Sequence, residues 1–190
     1  MGSGSLSGAL AQLTLVDVAL AVLLLLAAIM DASRGRVPNW LSYPALAFGL
    51  AWATGHGWHG LLLSLAGVLA GFLPFLALYI AGGLGGGDVK LMAAIGAMVG
   101  FPLVLNAMIT SILVGGLLGL LVAAWEGKLL ASFRFVGLTL LRTFVPSVEV
   151  PSLRVRRNLP FGVAIALGTM VALIADRAGY TTPATMLGLG

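Results

Sequence analysis

The chain has no cysteine. That excludes disulfides, thiolate metal sites and a cysteine nucleophile. Charge is nearly as scarce. Only 8% of the 190 residues are Asp, Glu, Lys or Arg, against about 25% in an ordinary soluble domain. Apolar residues make up 60% of the sequence and mean hydropathy is +1.11. The opening Met1-Gly2-Ser3-Gly4-Ser5 has no basic n-region, so a cleaved signal peptide is not expected. What remains is the composition of a polytopic membrane protein, with length for about six spans of about 20 residues and none left for a soluble domain. Ten Lys and Arg against six Asp and Glu would suggest nucleic acid in a soluble chain. In this one the basic excess reads as topology and contact with anionic lipid, with no nucleic-acid partner.

What is abundant is glycine, 27 residues, and it is concentrated in one place. Gly82-Gly83-Leu84-Gly85-Gly86-Gly87-Asp88-Val89-Lys90 lies between two apolar runs, so a carboxylate falls where a membrane helix should begin. An acid at bilayer depth costs roughly 2.5–3.5 kcal/mol on insertion scales and calls for a reason. The spans are expected at Leu13 to Met30, Trp40 to Thr54, Leu61 to Ala81, Val89 to Val99, Leu103 to Trp125 and Leu159 to Ala175. Pro44 falls near the start of the second, and Pro74 is expected to kink the third. Between the last two lies a long loop, whose piece 133–144 has the pattern of an interfacial amphipathic helix. With both termini outside, nine of the ten basic residues face the cytoplasm and only Arg177 lies opposite. The expected fold is therefore all-α, six transmembrane helices in one domain over 1–190, in the cytoplasmic membrane.

Hydrolysis by two carboxylates needs them at one depth, so that one holds a proton while the other is ionised. Asp17 stands fourteen residues before Asp31, about 21 Å along a helix, and belongs with Asp176 on the outer side. Glu126 and Glu149 lie in or beside the basic loop, where solvated ion pairs are the plainer reading. Asp31 closes the first span and Asp88 opens the fourth, so these two form the expected catalytic pair. Asp88 alone is also explained as a helix-starting acid. Asp31, at a helix end, gains nothing from its own dipole. Lys90 could tune Asp88 or bind lipid phosphate. Arg34 and Arg36 suit anionic lipid. His56 and His59 read as interfacial residues of the outer turn rather than metal ligands. Met92, Met98 and Met108 read as packing, and Gly67, Gly71, Gly115, Gly116 and Gly119 as close helix-packing faces. The glycine run serves substrate approach, helix movement or a tight helix connection; sequence leaves all three open.

Gly85-Gly86-Gly87-Asp88 fits the Gly-x-Gly-Asp motif of membrane aspartyl proteases, and with Val89-Lys90-Leu91 it resembles the type IV prepilin peptidase family. Asp31 followed by Arg34, Arg36 and the pair Pro38-Asn39 resembles that family's first motif, and Leu159-Pro160-Phe161-Gly162 its Pro-Phe-Gly approach to the last helix. The resemblance implies a six-helix aspartyl endopeptidase without metal or other cofactor. Its catalytic residues would be Asp31 and Asp88, with Gly85, Gly87, Lys90, Pro38, Asn39, Pro160 and Gly162 in support. Its partner would be a prepilin-like precursor with a basic leader and a hydrophobic helix, cut at the cytoplasmic face. Larger members carry a cysteine-based zinc site in an N-terminal extension and also methylate the new N-terminus. This chain has no cysteine and no room for that extension, so a peptidase without N-methylation is expected, of the tight-adherence (Flp-type) or preflagellin sort. A presenilin-like protease would need its second aspartate in mid-span. A non-enzymatic membrane subunit would leave the two inner aspartates a coincidence.

Overall fold

Six helices and no strand occur among the residues the structure describes, 14–127 and 161–179 of a computed structural model. The first, α1 (Leu15–Arg34), opens on a reciprocal cap. The Thr14 N–H donates to Asp17 Oδ2 at 2.8 Å, and the Asp17 N–H donates back to Thr14 Oγ1 at 3.4 Å. Two orphan donors of the first turn are satisfied this way. The helix runs one turn past Asp31 and stops at Gly35, whose φ of 65° is a left-handed conformation open to glycine at no steric cost. Gly35 N–H closes the turn on the Asp31 carbonyl at 2.8 Å.

Pro38 then caps α2 (Asn39–Thr54) in extended conformation, and α3 (Gly57–Ile80) follows after a two-residue link. The third span thus begins a turn earlier than Leu61, and His56 is its N-cap rather than mid-turn. Both Pro44 and Pro74 lie inside continuous helices. Helix α4 (Gly86–Val99) starts three residues before Val89, inside the glycine run. Helices α5 (Leu103–Trp125) and α6 (Phe161–Arg177) complete the set. Three of the six, α1, α3 and α5, are long and apolar enough to cross a membrane.

The chain divides into two compact units. One comprises Met1–Val114 with Pro160–Gly190 and holds α1 to α4, α6 and the first half of α5. The other, Gly115–Leu159, is described over the second half of α5 and the turn at Glu126–Gly127. The long loop beyond residue 127, with the piece 133–144, lies outside the described residues, as does Pro160.

The first unit is built around its shortest helix. Ten of the 14 residues of α4 are buried, from Asp88 to Met98. At 1.5 Å per residue α4 is about 21 Å long, short of a hydrocarbon core of about 30 Å. Helices α2 and α3 pack on it, and glycines let them come close. A Cβ on Gly67 would strike the Gly96 carbonyl, one on Gly96 the Gly67 carbonyl, and one on Gly71 would lie 2.8 Å from the Met92 carbonyl oxygen. Ser64 Oγ–H donates to the Ala97 carbonyl at 2.6 Å in the same seam. Small residues and hydroxyls do here what apolar burial cannot do in lipid, where the surroundings are as apolar as the core. Gly116 does not share this role: among the described residues nothing lies within 4 Å of its missing Cβ.

Helix α1 shows the two-solvent pattern clearly. Val16, Leu20, Leu23, Leu24 and Ala27 form a buried stripe at helical spacing, and Leu15, Val18, Val22, Leu25 and Ile29 form an equally apolar exposed one. An exposed face of that kind is matched to lipid rather than water. Helix α6 runs antiparallel beside α1. Their far ends are tied by Arg177 to Asp17 Oδ1 at 2.7 Å, a pair half-open to solvent. Thr110 Oγ1 of α5 lies 2.7 Å from the Gly168 carbonyl, with the Asn106 carbonyl at the same distance; its single proton serves one of them at a time.

Gly96→Ala tests the α3–α4 seam. Alanine gains about 1 kcal/mol of helix propensity over glycine, yet here its methyl meets backbone that cannot step aside, and overpacking costs typically 1–3 kcal/mol. A lower thermal midpoint in detergent is the expected result, and an unchanged or raised one would show that the seam is loose.

Candidate active site

The described parts of the three sequence motifs, with Phe161 and Gly162 representing the third, meet at one end of the first unit, where α1 ends and α2, α4 and α6 begin. Asp31 is 5% exposed and Asp88 8% exposed. Burying charges this far requires hydrogen bonds to replace those of water.

For Asp31 the replacement comes from another helix. Its Oδ2 accepts the Gly162 N–H at 2.6 Å and the Val163 N–H at 3.3 Å, from the first turn of α6. Free N–H groups and the positive end of the dipole make a helix start a natural seat for an anion. The carboxylate that gains nothing from its own helix is thus stabilised by α6, across 131 residues of sequence. Hydrogen bonds to a charged group contribute about 1.5–3 kcal/mol each. Gly162 is required sterically too: a Cβ there would lie 2.9 Å from Cβ, Cγ and Oδ2 of Asp31. Phe161, the residue before it, meets Phe75 of α3 edge-to-face at 6.4 Å.

Asp88 is the third residue of α4 and reaches back over its own first turn. Its Oδ2 accepts the Gly85 N–H at 3.2 Å, and its N–H donates to the Gly85 carbonyl at 3.1 Å. Asp88 lies within electrostatic range of Asp31. Each carboxylate therefore has one oxygen held by amides, and the other has no hydrogen-bond partner among the described residues.

The first and second motifs also touch. Gly87 sits on the backbone before Pro38, where a Cβ would lie 2.8 Å from the Val37 carbonyl oxygen and 3.1 Å from its nitrogen. Lys90 Nζ donates to Asn39 Oδ1 at 2.9 Å and rests 5.2 Å over the Tyr43 ring. Lys90 thus clasps the start of α2 to α4. For Gly87 the tight helix connection is the reading the contacts support. Asp17 is engaged at the opposite end. Among the described residues no cluster of three metal-ligating side chains occurs. His56 and His59 line a separate pocket of about 330 Å³ at that opposite end, with Trp52, Ser64 and Phe101. The amide clamp on Asp31 has no direct mark in the sequence beyond a glycine at a helix start.

Neighbouring glycines separate packing from mobility. Gly87→Ala should lower both the thermal midpoint and any activity, whereas Gly86→Ala, whose methyl would meet only the edge of the Tyr79 ring at 3.6 Å, should be tolerated. Equal tolerance at both positions would argue against a tight contact at Val37.

Residues 18–120, which include both aspartates, match the model of the type IV leader peptidase family. The chain is 31% identical over 156 residues to the prepilin leader peptidase/N-methyltransferase of Bacillus subtilis, covering 80% of this chain and 52% of that one. It is 29% identical over 168 residues to the enzyme of that name from Aeromonas hydrophila, with 85% and 49% covered. A third relative so named, from Burkholderia pseudomallei, is 33% identical over 145 residues, with 68% and 46% covered. The chain spans about half the length of these relatives. No solved structure matches it. With the family's motifs drawn to one end of an all-helical fold and its model matched over more than half the sequence, the chain belongs to the type IV leader peptidase family.

Proposed function

We propose that this protein is a membrane aspartyl endopeptidase that removes the basic leader of prepilin-like precursors, with Asp31 and Asp88 as its catalytic residues. The observation that carries the reading is the pair itself. Two buried carboxylates share one end of the helical unit, and each has one oxygen held by an amide and the other without a hydrogen-bond partner among the described residues. Two like charges in a medium of low dielectric ionise together only at high cost, so the pair keeps one proton. The ionised member takes a proton from water, whose oxygen attacks the scissile carbonyl carbon. The protonated member gives its proton to the carbonyl oxygen. As the tetrahedral intermediate collapses, the C–N bond breaks and a proton passes to the leaving amine. No metal or other cofactor enters this scheme. Proteolysis without N-methylation is proposed, because these two groups act on water and a carbonyl.

The substrate reading is a precursor with a basic leader ahead of a hydrophobic helix, the helix lodging in lipid and the leader staying in water. We place the site at the cytoplasmic face of the inner membrane, in one peptidase domain of six spans with both termini outside. Arg34, Arg36 and Lys90 all belong to the aspartate end, as the positive-inside rule would have it. Pro38, Asn39, Lys90, Gly85, Gly87 and Gly162 act as supports that fix the two acids, and Pro160 is assigned with them on sequence alone. Membrane lipid is the remaining partner, and no nucleic acid is involved.

Asp31→Asn and Asp88→Asn keep the shape of the side chain and an oxygen that accepts the amide bonds, so folding should survive. Cleavage of a leader-bearing precursor in detergent should fall by at least about 10²-fold in each, while Asp17→Asn stays within a few-fold of the original. Full turnover in either of the first two would eliminate the two-carboxylate mechanism. Orientation is open to a separate check, since the chain has no cysteine. A single cysteine at Thr54→Cys should react with a membrane-impermeant maleimide on intact cells, and one at Ser33→Cys should not; the reverse pattern would invert the topology.

A further inference from the structure

We infer that the start of α6 makes Asp31 the ionised general base and leaves the shared proton on Asp88, with Gly162 and Val163 acting as positioning residues through their backbone N–H groups. This rests on the two-carboxylate reading above.

The two carboxylates are unequally provided for. Asp31 Oδ2 has two amide donors, one of them at 2.6 Å, and both belong to a helix whose dipole points its positive end at the carboxylate. A short, charge-assisted bond of this kind favours the anion over the neutral acid. Asp88 has a single donor, the Gly85 N–H at 3.2 Å. Both are buried and each faces a helix start, Asp31 that of α6 and Asp88 that of α4, while Asp31 also stands in the last turn of α1, whose negative end opposes its charge. What favours Asp31 is the number and length of its hydrogen bonds. They put the negative charge on Asp31.

The surrounding charges do not reverse that preference. Helix α1 packs against α2, α4 and α6. From α4 the facing groups are Asp88 and Lys90, and the Lys90 ammonium is taken up by Asn39 and the Tyr43 ring. Helix α2 brings Tyr43 to this end and α3, packed on α4, brings Tyr79; both are exposed. The charges of α6 are Asp176 and Arg177, at the other end, where Arg177 pairs with Asp17. Arg34 and Arg36, on α1 and its following link, are exposed, and among the described residues neither pairs with Asp31. The amides of α6 are thus the groups that distinguish the two acids.

The test is the pH profile of kcat/KM for precursor cleavage by the full chain in detergent, for the unaltered protein, Gly162→Ala and Val163→Pro. In Gly162→Ala the added methyl crowds Asp31 off its amides. In Val163→Pro one donor is deleted at a first-turn position where proline is tolerated, preceded by a glycine that accepts the constraint. Thermal midpoints confirm that each variant is folded, and either one suffices if the other is not. The acid limb, which reports ionisation of the base, should move to higher pH. The shift should be about one pH unit in Gly162→Ala, the size expected for losing one charge-assisted bond, and smaller in Val163→Pro. If the alkaline limb moves instead, Asp31 is the acid and the assignment is reversed. A profile that stays put while kcat falls would mean the amides hold Asp31 for structure alone. Either result leaves the catalytic pair itself standing, because that is decided by the two asparagine variants.

Discussion

A buried carboxylate must find hydrogen bonds or stay out of the interior, and Asp31 finds them on a helix turn whose Gly162 lies 131 residues later. The arrangement of the unit follows from that one demand. To bring two N–H groups of α6 onto the end of α1, the two helices must lie side by side and antiparallel with their ends in register. The Asp17–Arg177 pair at the opposite end has the same register. The approach leaves no space for a side chain at residue 162, so glycine there follows from the carboxylate's position.

The second acid is fixed by a different means. Helix α4 is short, and its backbone is pressed between α2 and α3 through Gly49, Gly67 and Gly71. That seam holds the helix along its length, and the contact of Gly87 with Val37 holds its start. Lys90 adds a polar clasp to Asn39 on the rim. The local capping bond from Gly85 then orients the Asp88 side chain. One acid is thus positioned by a long-range hydrogen bond and the other by close backbone packing, and the two solutions meet where their charges interact.

Much of this was legible in the residues. Apolar runs of span length are hard to disguise, and all six expected helices exist among the described residues. Their boundaries were less legible: a glycine run looks like a loop, yet Gly86 and Gly87 are the first turn of α4 because the buried seam outweighs their poor propensity. The pairing of Asp31 with Asp88 could be reached by excluding acids at the wrong depth. The amide clamp could not, because backbone N–H groups are the same in every non-proline residue and leave no letter in the sequence. Lys90 shows the converse limit. Its charge is visible, but its choice of Asn39 and Tyr43 over Asp88 depends on how α2 and α4 meet.

The clasp between α1 and α6 also has a place in time. A ribosome adding about 5–20 residues per second makes Asp31 and Asp88 well before Gly162. For several seconds the nascent chain carries both acids in the membrane without the amides that seat the first of them. On the two-carboxylate reading, a copy that stops short of α6 has both acids but lacks the seat of the first.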